Sequence, residues 1–224
     1  MGNKPKIFQI FYSPETFARL DLGFEPFDNS LPIKPDEFEY GVMRQVYFAN
    51  PFQHGFSHLG VLSPKFRLKT GWSSECLIDV ITKHEEVDIF MFNPHDISSK
   101  FFNVWTQGEC SHPGLLNLME TIFLDANLDP LALKLRMGSR VECYSNYWLA
   151  SRRFWDLYMS FAERIYGSIY KSDLIRGKVF SPVRLKNCGH GSVPYFPFIF
   201  ERIFSTVLTL YGKSFKCLSL NQNV

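Results

Sequence analysis

The sequence predicts one α/β domain with a mixed, mostly parallel sheet flanked by helices. Short apolar runs alternate with longer runs of helical periodicity, and this alternation is typical of α/β proteins. The chain of 224 residues has the length of a single domain and contains neither a repeat nor an obvious linker. Hydrophobic residues make up 46% and aromatic residues 17%, which is enough to fill a thick core. We therefore expect residues 1–224 to form one domain.

The first fifty residues predict a strand, a helix start, a loop and a second helix. Lys6–Tyr12 is an apolar strand. Ser13 suits the N-cap and Pro14 the first turn of a helix that follows this strand. Asp21–Pro35 is predicted as a loop, because prolines, glycines and short polar residues interrupt any periodicity. Asp36–Asn50 is predicted as a helix that begins at its own acidic cap.

The middle of the chain continues this alternation. Phe56–Ser63 is predicted as a strand that the following proline ends. Ser73 or the serine after it caps a helix that runs through Lys83. Val87–Phe92 is dense in apolar residues, as a central parallel strand would be. His112–Ala126 is predicted as a helix that a His-Pro-Gly turn opens.

The last third predicts two long helices between strands. Val141–Leu149 is predicted as a strand, and Arg152–Tyr170 as an amphipathic helix with apolar residues three and four apart. Residues 171–194 are polar and rich in glycine, which favours a mobile loop. Pro197–Tyr211 is predicted as the final helix and Lys216–Leu220 as a closing strand.

Charge and missing motifs exclude several classes of protein. There are 24 Lys+Arg and 22 Asp+Glu, and this net charge of +2 argues against a nucleic-acid partner. The chain lacks a Gly-x-Ser-x-Gly elbow, a P-loop and a Gly-x-Gly-x-x-Gly turn. These absences argue against a serine hydrolase, a P-loop NTPase and a typical dinucleotide-binding oxidoreductase.

The sequence carries no sign of export or of a membrane span. No apolar run reaches the roughly 18 residues that a membrane helix needs. The basic first residues are not followed by the apolar segment of a signal peptide. Five scattered cysteines without a Cys-x-x-Cys pair are typical of reduced thiols. We expect a soluble, cytoplasmic protein, and peripheral attachment to the inner face of the membrane stays open.

Three polar clusters follow predicted strands, where ligands of open α/β sheets bind. The first is Tyr12-Ser13 and the second is Ser63-Pro64-Lys65. The third combines Asn93, His95 and Asp96, and ligands of this kind suit Mg²⁺ or Mn²⁺ next to a diphosphate. The third cluster is not an Asp-x-Asp motif. A turn formed by local hydrogen bonds is the alternative interpretation.

Two Cys-x-His pairs form a second group of candidate ligands. Cys110 with His112 and Cys188 with His190 could together hold a zinc ion, although their spacing is unusual for zinc sites. Chance is the alternative, because the chain contains five cysteines and six histidines. His112 also precedes a proline at a predicted helix start, where it could face the phosphate of a nucleotide.

Adjacent opposite charges occur within the last apolar helix. Glu201 and Arg202 point about 100° apart, so they cannot both lie on the outer face if the neighbouring phenylalanines are buried. A charge that is turned inward needs a partner. Glu201 could be a general base and Arg202 a diphosphate ligand, or both could be structural ion pairs. Glu37, Glu39 and Arg44 on the early helix are interpreted as solvated charges.

Several motifs follow one another along nearly the whole chain. They are Ile7–Tyr12, Leu20–Asn29, Gly60–Phe66, Lys69–Gly71, Asp88–Pro94, Phe102–Glu109, His112–Gly114, Asn146–Trp148 and Pro197–Ser205. In this order they resemble a poorly characterised bacterial family that is often encoded with surface-polysaccharide enzymes. That family is similar to glycosyltransferase domains of the GT-A type, whose Rossmann-like fold binds a nucleotide-sugar.

The resemblance implies a division of roles among these residues. Tyr12 and Ser13 would hold the nucleoside, and Lys65 with Arg67 or Lys69 would meet the diphosphate, where a fixed cation stabilises the leaving group. The cluster at residues 93–96 would take the place of the usual metal motif and bind Mn²⁺ or Mg²⁺. Glu201 would deprotonate the acceptor hydroxyl. The aromatic rings that stack on sugar rings would be those of Trp105, Tyr147 and Trp148.

Three functional hypotheses follow from these observations. The first is a glycosyltransferase that moves a sugar from a nucleotide-sugar donor to a glycan or lipid-linked acceptor in bacterial surface-polysaccharide synthesis. The second is a non-catalytic carbohydrate- or partner-binding domain of the same fold, which would keep the aromatic groove without a diphosphate site. The third is another α/β enzyme, such as a hydrolase or a metal-dependent enzyme that uses the Cys-x-His pairs.

Overall fold

The computed structural model describes residues 4–93, 100–183 and 193–220, and they form an α/β fold. The strands are β1 (Lys6–Phe11), β2 (Glu25–Asp28), β3 (His58–Leu62), β4 (Ile89–Phe92), β5 (Trp148–Ser151), β6 (Pro182–Val183), β7 (Val193–Pro194) and β8 (Cys217–Leu220). The α-helices are α1 (Pro14–Phe17), α2 (Phe38–Phe48), α3 (Phe66–Thr70), α4 (Ser74–Lys83), α5 (Val104–Ser111), α6 (Leu115–Asp125), α7 (Arg152–Lys171), α8 (Asp173–Val179) and α9 (Tyr195–Tyr211).

Six strands form one mixed sheet in the order β2-β1-β3-β5-β4-β8. β1 is parallel to β2 and β3, and β4 is parallel to β8. β5 is antiparallel to both of its neighbours, β3 and β4. The predicted mixed, mostly parallel sheet is therefore confirmed. The five parallel strands end at one edge of the sheet, and β5 begins at that edge.

The inner strands are buried on both faces, as their continuous apolar sequences predict. Every residue of β3 and β4 is buried. Gly60 in β3 faces Leu149 in β5, and a Cβ at position 60 would lie 2.6 Å from the Leu149 Cγ. The glycine thus lets the two strands pack closely. The core around the sheet includes Ile7, Phe24, Leu62, Phe66, Leu77, Ile81, Phe90, Phe92, Tyr147 and Leu149.

The contacts within the chain form two compact units. The first unit comprises the described residues of Met1–His95, Tyr144–Leu157 and Gly212–Val224, and it contains the whole six-stranded sheet. The second comprises the described residues of Asp96–Cys143 and Tyr158–Tyr211. One domain over residues 1–224 stays a prediction. Among the described residues, no helix is both long enough and apolar enough to cross a membrane.

Local capping chemistry explains several of the predicted helix starts. Ser13 caps α1 in a capping box with Thr16, and proline occupies the first turn as predicted. Ser73 caps α4, where its hydroxyl accepts a hydrogen bond from the Cys76 amide at 3.3 Å. Asn103 caps α5, a helix that the sequence analysis did not predict, and also forms a capping box with a threonine three residues later.

The structure corrects two boundaries in the first unit. The predicted loop at residues 21–35 contains β2, whose Pro26 is tolerated because β2 is an edge strand and needs fewer backbone donors. The predicted helix at residues 36–50 is α2, which begins only at Phe38. Asp36 lies in a 3₁₀ turn before it and is not the cap. Phe38 has a φ of 48°, so the chain cannot continue as a regular helix through this residue.

Two further predictions about the later part of the chain are wrong. Residues 141–147 form an irregular segment with bends at 144–146, and the strand is confined to β5. Ser145 has a φ of 137°, which interrupts an extended backbone. The segment at residues 171–194 was predicted as a mobile loop, but it contains α8 and the β6–β7 pair. Ser172 caps α8 by accepting a hydrogen bond from the Ile175 amide. Residues 184–192 lie outside the described part of the chain.

The second unit is mainly helical and has its own aromatic core. Its longest apolar helix is α9, of which ten residues are buried. Trp105 of α5 donates its indole hydrogen to the hydroxyl of Thr206 in α9 at 2.9 Å. The Asn103 side chain donates to the carbonyls of Leu133 and Leu135 at 2.9 and 2.8 Å. These bonds fix α5 between α9 and the chain that follows α6.

Candidate functional site

The edge at which the parallel strands end carries most of the residues predicted to bind a donor. Tyr12 directly follows β1, Ser63 directly follows β3, and Asn93 directly follows β4. Lys65 lies two residues after Ser63 and is the N-cap residue of α3. All of them belong to the first unit. This edge is the place where ligands of open α/β sheets bind.

Three cations, Lys65, Arg67 and Lys69, lie within five consecutive residues after β3. Lys65 and Lys69 are four residues apart, at the N-cap and within the short helix α3. Lys65 is exposed, and Arg67 keeps 66% of its side chain exposed. The Lys69 ammonium lies 5.6 Å from the centre of the Tyr147 ring, within cation–π range. These three cations can bind the negatively charged oxygens of a diphosphate.

A partly buried hydrogen-bond network holds the loop that faces α3. The Asp21 carboxylate accepts bonds from the Ser74 amide at 2.9 Å, from the Ser74 hydroxyl, and from the Gly23 amide at 3.3 Å. Burial opposes its charge, but these bonds and the Arg67 guanidinium, 3.8 Å away, outweigh burial and lower the pKa of Asp21. The Asp21 amide in turn donates to the Gln9 side chain at 2.8 Å. The network ties the loop after α1 to β1 and to the start of α4.

Ser13 has a structural role in the first unit. Its hydroxyl accepts a bond from the Thr16 amide at 3.3 Å, and the Thr16 hydroxyl accepts bonds from the amides of Tyr12 and Ser13, both at 2.8 Å. With these bonds, Ser13 and Thr16 stabilise the start of α1. Contact of Ser13 with a nucleoside stays a prediction.

Tyr147 is a core residue at the same edge. Only 2% of it is exposed, and its ring packs edge-on against Phe66, with the ring centres 5.4 Å apart. Its hydroxyl lies 2.8 Å from the Ser63 hydroxyl. Tyr147 therefore joins β3, α3 and β5 at the candidate site. No exposed ring face supports the prediction that it stacks on a sugar.

The two tryptophans predicted to stack on sugar rings are buried as well. Trp148 packs against Trp155, with ring centres 4.6 Å apart, and Trp105 is completely buried beside Thr206. Their rings fill the cores of the first and second unit, respectively. The predicted aromatic groove is therefore not formed by these side chains, and the hypothesis of a carbohydrate-binding domain without catalysis loses that support.

The sequence analysis missed a polar cluster around Tyr12. Desolvation raises the pKa of Tyr12 well above its ordinary value, and the nearby Glu39 carboxylate and the Tyr147 hydroxyl add to this rise. The Asn146 side-chain amide donates to Glu39 at 3.4 Å. The Asn146 Oδ1 atom is buried and has no hydrogen-bond partner among the described residues. Glu39 was interpreted as a solvated charge, because its position on the helix gave no sign of these partners.

The predicted metal ligands are described only in part. Asn93 follows β4 at the candidate edge, whereas His95 and Asp96 lie outside the described residues. Of the Cys-x-His pairs, Cys188 and His190 also lie outside them. Within the described ranges, no group of three His, Cys, Asp or Glu side chains is arranged to hold a metal ion. Binding of Mn²⁺ or Mg²⁺ by residues 93–96 stays a prediction.

Arg202 is a structural residue of the second unit. It is 5% exposed, and each nitrogen of its guanidinium has a protein acceptor. Nε donates to the Val104 carbonyl at 2.9 Å, Nη1 to the Phe198 carbonyl at 2.6 Å, and Nη2 to the Gln107 side chain at 2.5 Å. The predicted role as a diphosphate ligand is therefore corrected. The guanidinium is held by the protein itself and joins α9 to α5.

Glu201 lies beside this buried arginine but reaches solvent. Its side chain is 37% exposed, and one carboxylate oxygen lies 3.8 Å from Nη1 of Arg202. The prediction that the two adjacent charges cannot share the outer face is confirmed, since Arg202 is the one that turns inward. The accessibility of Glu201 is compatible with contact to a substrate hydroxyl, and its role as a base stays a prediction.

His112 does not face a phosphate at a helix start. It is the C-cap residue of α5, and its ring stacks on Phe198 with the ring centres 3.5 Å apart. The N-terminus of α6 is occupied by the Glu109 carboxylate, which accepts bonds from the Gly114 and Leu116 amides, each at 2.8 Å. Desolvation, helped by the charge of Arg202, lowers the pKa of His112 to about 4. The imidazole is therefore neutral near pH 7.

The comparisons with known proteins find similarity at the level of structure. The chain matches no family model, and no curated protein sequence matches it. A solved structure of the apo form of WbbM, a bifunctional glycosyltransferase, is similar, with a TM-score of 0.56 and 12% sequence identity. The similarity covers 98% of this chain and 45% of that chain, so this chain spans less than half the length of WbbM. The predicted glycosyltransferase-like fold is thereby confirmed.

Proposed function

We propose that this protein is a glycosyltransferase that uses a nucleotide-sugar donor in bacterial surface-polysaccharide synthesis. The observation that carries the proposal is the similarity of its fold to that of a glycosyltransferase over 98% of the chain. Fold alone does not determine chemistry, so the proposal also depends on the groups at the carboxyl edge of the sheet. The acceptor is a glycan or a lipid-linked sugar, and no nucleic acid takes part.

The donor binds at the edge where β1 and β3 end. Tyr12 and Ser13 contact the nucleoside, while Lys65, Arg67 and Lys69 contact the diphosphate. Departure of a nucleoside diphosphate leaves negative charge on the leaving oxygen, and fixed cations at that position lower the barrier. The support for this assignment is the exposure of Lys65 and Arg67, and the position of all three cations after β3.

The acceptor hydroxyl must lose its proton as the new glycosidic bond forms. Glu201 is the proposed general base, since its carboxylate is accessible to an acceptor hydroxyl. A divalent cation held by Asn93, His95 and Asp96 would supply further charge neutralisation at the diphosphate. Dependence of the activity on Mn²⁺ or Mg²⁺ tests that part separately.

Turnover of nucleotide-sugars by the purified protein tests the proposal. Release of UDP, GDP or CMP is measured for a panel of UDP-, GDP- and CMP-sugars, with and without Mn²⁺. We expect one donor class to be consumed, and Lys65→Ala and Glu201→Gln to lose at least about tenfold in turnover. Lys83→Ala is the matched control, because Lys83 is an exposed lysine on α4 that pairs with Asp79. Full turnover in the Lys65 or Glu201 variant would remove that residue's role.

A further inference from the structure

A pocket that none of the donor-binding residues lines opens beside the first turns of α2. It has a volume of about 120 Å³ and lies between α2 and the chain that links β2 to α2. A water-sized site needs about 10–15 Å³ in this measure, so the pocket has room for roughly ten heavy atoms. A single pyranose ring with its hydroxyls is a ligand of that size.

An ion pair between an exposed lysine and a buried glutamate forms one wall of the pocket. The Glu37 side chain is only 4% exposed, and its carboxylate lies 3.0 Å from the Lys34 ammonium. Gly41 lies one turn further along α2. Because it has no side chain, the Glu37 carboxylate can occupy the space beside it. A Cβ at position 41 would lie 3.0 Å from the Glu37 Cβ and 3.3 Å from its Oε2. A glycine within a helix is unfavourable, and here its absent side chain keeps the wall open.

Amides form the other polar part of the wall. Asn29 lines the pocket and is only 8% exposed, yet its side chain makes no hydrogen bond to any described residue. Its side-chain oxygen and nitrogen are not among the fully buried atoms without a partner, so they reach the space of the pocket, where a ligand or water can bond to them. Gln45 lines the same pocket from the next turn of α2. Two amides and a carboxylate can together bind several hydroxyl groups, because they combine donors and acceptors.

An aromatic ring is held at this pocket by a strained backbone. Phe38 lines the pocket, keeps 40% of its surface exposed, and has φ 48° and ψ −138°. A bulky side chain rarely adopts this conformation, and strain of this kind accumulates at ligand sites. Ile33, which is 80% exposed, adds a second apolar surface to the lining. The pocket thus combines an aromatic face with groups that bind hydroxyls.

We infer that this pocket binds one sugar ring of a glycan. A pyranose is apolar on its faces and polar around its rim, which matches Phe38 and Ile33 on one side and Asn29, Glu37 and Gln45 on the other. The Lys34 ammonium balances the Glu37 charge, and the guanidinium of Arg44, which also lines the pocket, lies 5.5 Å from the centre of the Phe48 ring, within cation–π range. The inference does not depend on the proposed transfer reaction, because a protein without that activity could use the same pocket.

Binding of methyl glycosides by the full chain tests this inference. Saturation-transfer NMR is recorded with methyl glycosides of glucose, galactose, mannose, rhamnose and N-acetylglucosamine. We expect at least one to bind, and Asn29→Ala to weaken that binding at least tenfold. Phe38→Gly is expected to weaken it as much while leaving the melting temperature unchanged or higher, because glycine accepts a φ of 48° without strain. Leu31→Ala is the control, since Leu31 is 92% exposed in the same segment and does not line the pocket.

Three outcomes would overturn the inference. One is that no glycoside of the panel binds. Another is that binding survives both Asn29→Ala and Phe38→Gly in folded variants. The last is that a nucleoside diphosphate displaces the glycoside in wild-type protein but not in Lys65→Ala, because the glycoside would then occupy the donor site. Glycoside binding without any nucleotide binding would contradict the proposed transferase and leave the pocket's role intact.

Discussion

The Nε atom of Arg202 lies 2.5 Å from the position that a Cβ on Gly108 would occupy. The guanidinium of α9 therefore rests directly on the backbone of α5, and it can do so because position 108 carries no side chain. A Leu115 methyl group lies 2.7 Å from the same position and closes the space further. This contact explains why a glycine stands inside α5, at a position of the helix that is buried.

Gly108→Ala should destabilise the protein by about 1–3 kcal/mol, because the added methyl group must displace Arg202 or Leu115. Gly167→Ala, in α7, is the matched control. A Cβ at position 167 meets nothing within 4 Å, so this change should raise the free energy of unfolding by about 0.5–1 kcal/mol. Urea unfolding of both variants measures the difference. Equal stability of the two variants would show that the close contact is relieved at no cost.

Arg202→Lys should destabilise the fold although it keeps the charge. A lysine ammonium cannot reproduce the fork that reaches Val104, Phe198 and Gln107, so buried acceptors lose their donors. The expected loss is about 2–4 kcal/mol in the free energy of unfolding. Nucleotide affinity of the remaining folded protein should be unchanged. A lysine variant of wild-type stability with weakened nucleotide binding would instead favour a ligand-binding role for Arg202.

His112→Phe should remove part of the acid sensitivity of the fold. The pKa of His112 is lowered from 6.5 to about 4 in the folded protein, so the unfolded chain binds the proton more readily. Wild-type stability therefore falls as the pH drops from about 6.5 through 4, by up to about 3 kcal/mol from this group. Phenylalanine keeps the stack on Phe198 and does not titrate. The stability difference between variant and wild type should be nearly constant above pH 7 and should grow toward pH 4.

Asp21→Asn should destabilise the protein in the opposite range of pH. The pKa of Asp21 is lower in the folded protein than in the unfolded chain. The ionised carboxylate therefore contributes its full stabilisation at a pH above the ordinary pKa of an aspartate. This stabilisation is lost as the pH falls through the lowered pKa of the folded protein. At pH 7 we expect a loss of about 1.5–3 kcal/mol, since charge-assisted bonds to Ser74 and Gly23 weaken. Asp79→Asn, at an exposed pair with Lys83, should change stability by less than about 0.5 kcal/mol. A deficit of Asp21→Asn that persists unchanged below pH 3 would contradict this explanation.

The sequence predicted the elements whose signals are local. Lys6–Tyr12, Val87–Phe92 and Arg152–Tyr170 were predictable because apolar runs and helical spacing lie within single segments. The cap at Ser13 was predictable for the same reason. β2 was not, since four residues with a proline become a strand only by pairing with β1.

The candidate site was predictable where it follows strand ends and not where it depends on tertiary contacts. Lys65 was found from its place after a strand, whereas the burial of Trp105 and the partners of Arg202 come from elements far apart in sequence. Helical geometry showed that one of Glu201 and Arg202 turns inward. It could not show which one, because the acceptors for the guanidinium lie on α5.

The most direct test of the central proposal is a thermal-shift and calorimetric screen of the wild-type protein. The ligands are UDP, GDP, CMP and their common sugar derivatives, each with and without Mn²⁺. A ligand at 100 times its Kd stabilises the native state by about 2.7 kcal/mol, which raises the melting temperature by several degrees. We predict such a shift for one nucleotide class, and its loss in a Lys65→Ala, Lys69→Ala double variant that is folded. If a folded wild-type sample shows no shift with any of these nucleotides, the carboxyl edge of the sheet is not a donor site and the proposed function is wrong.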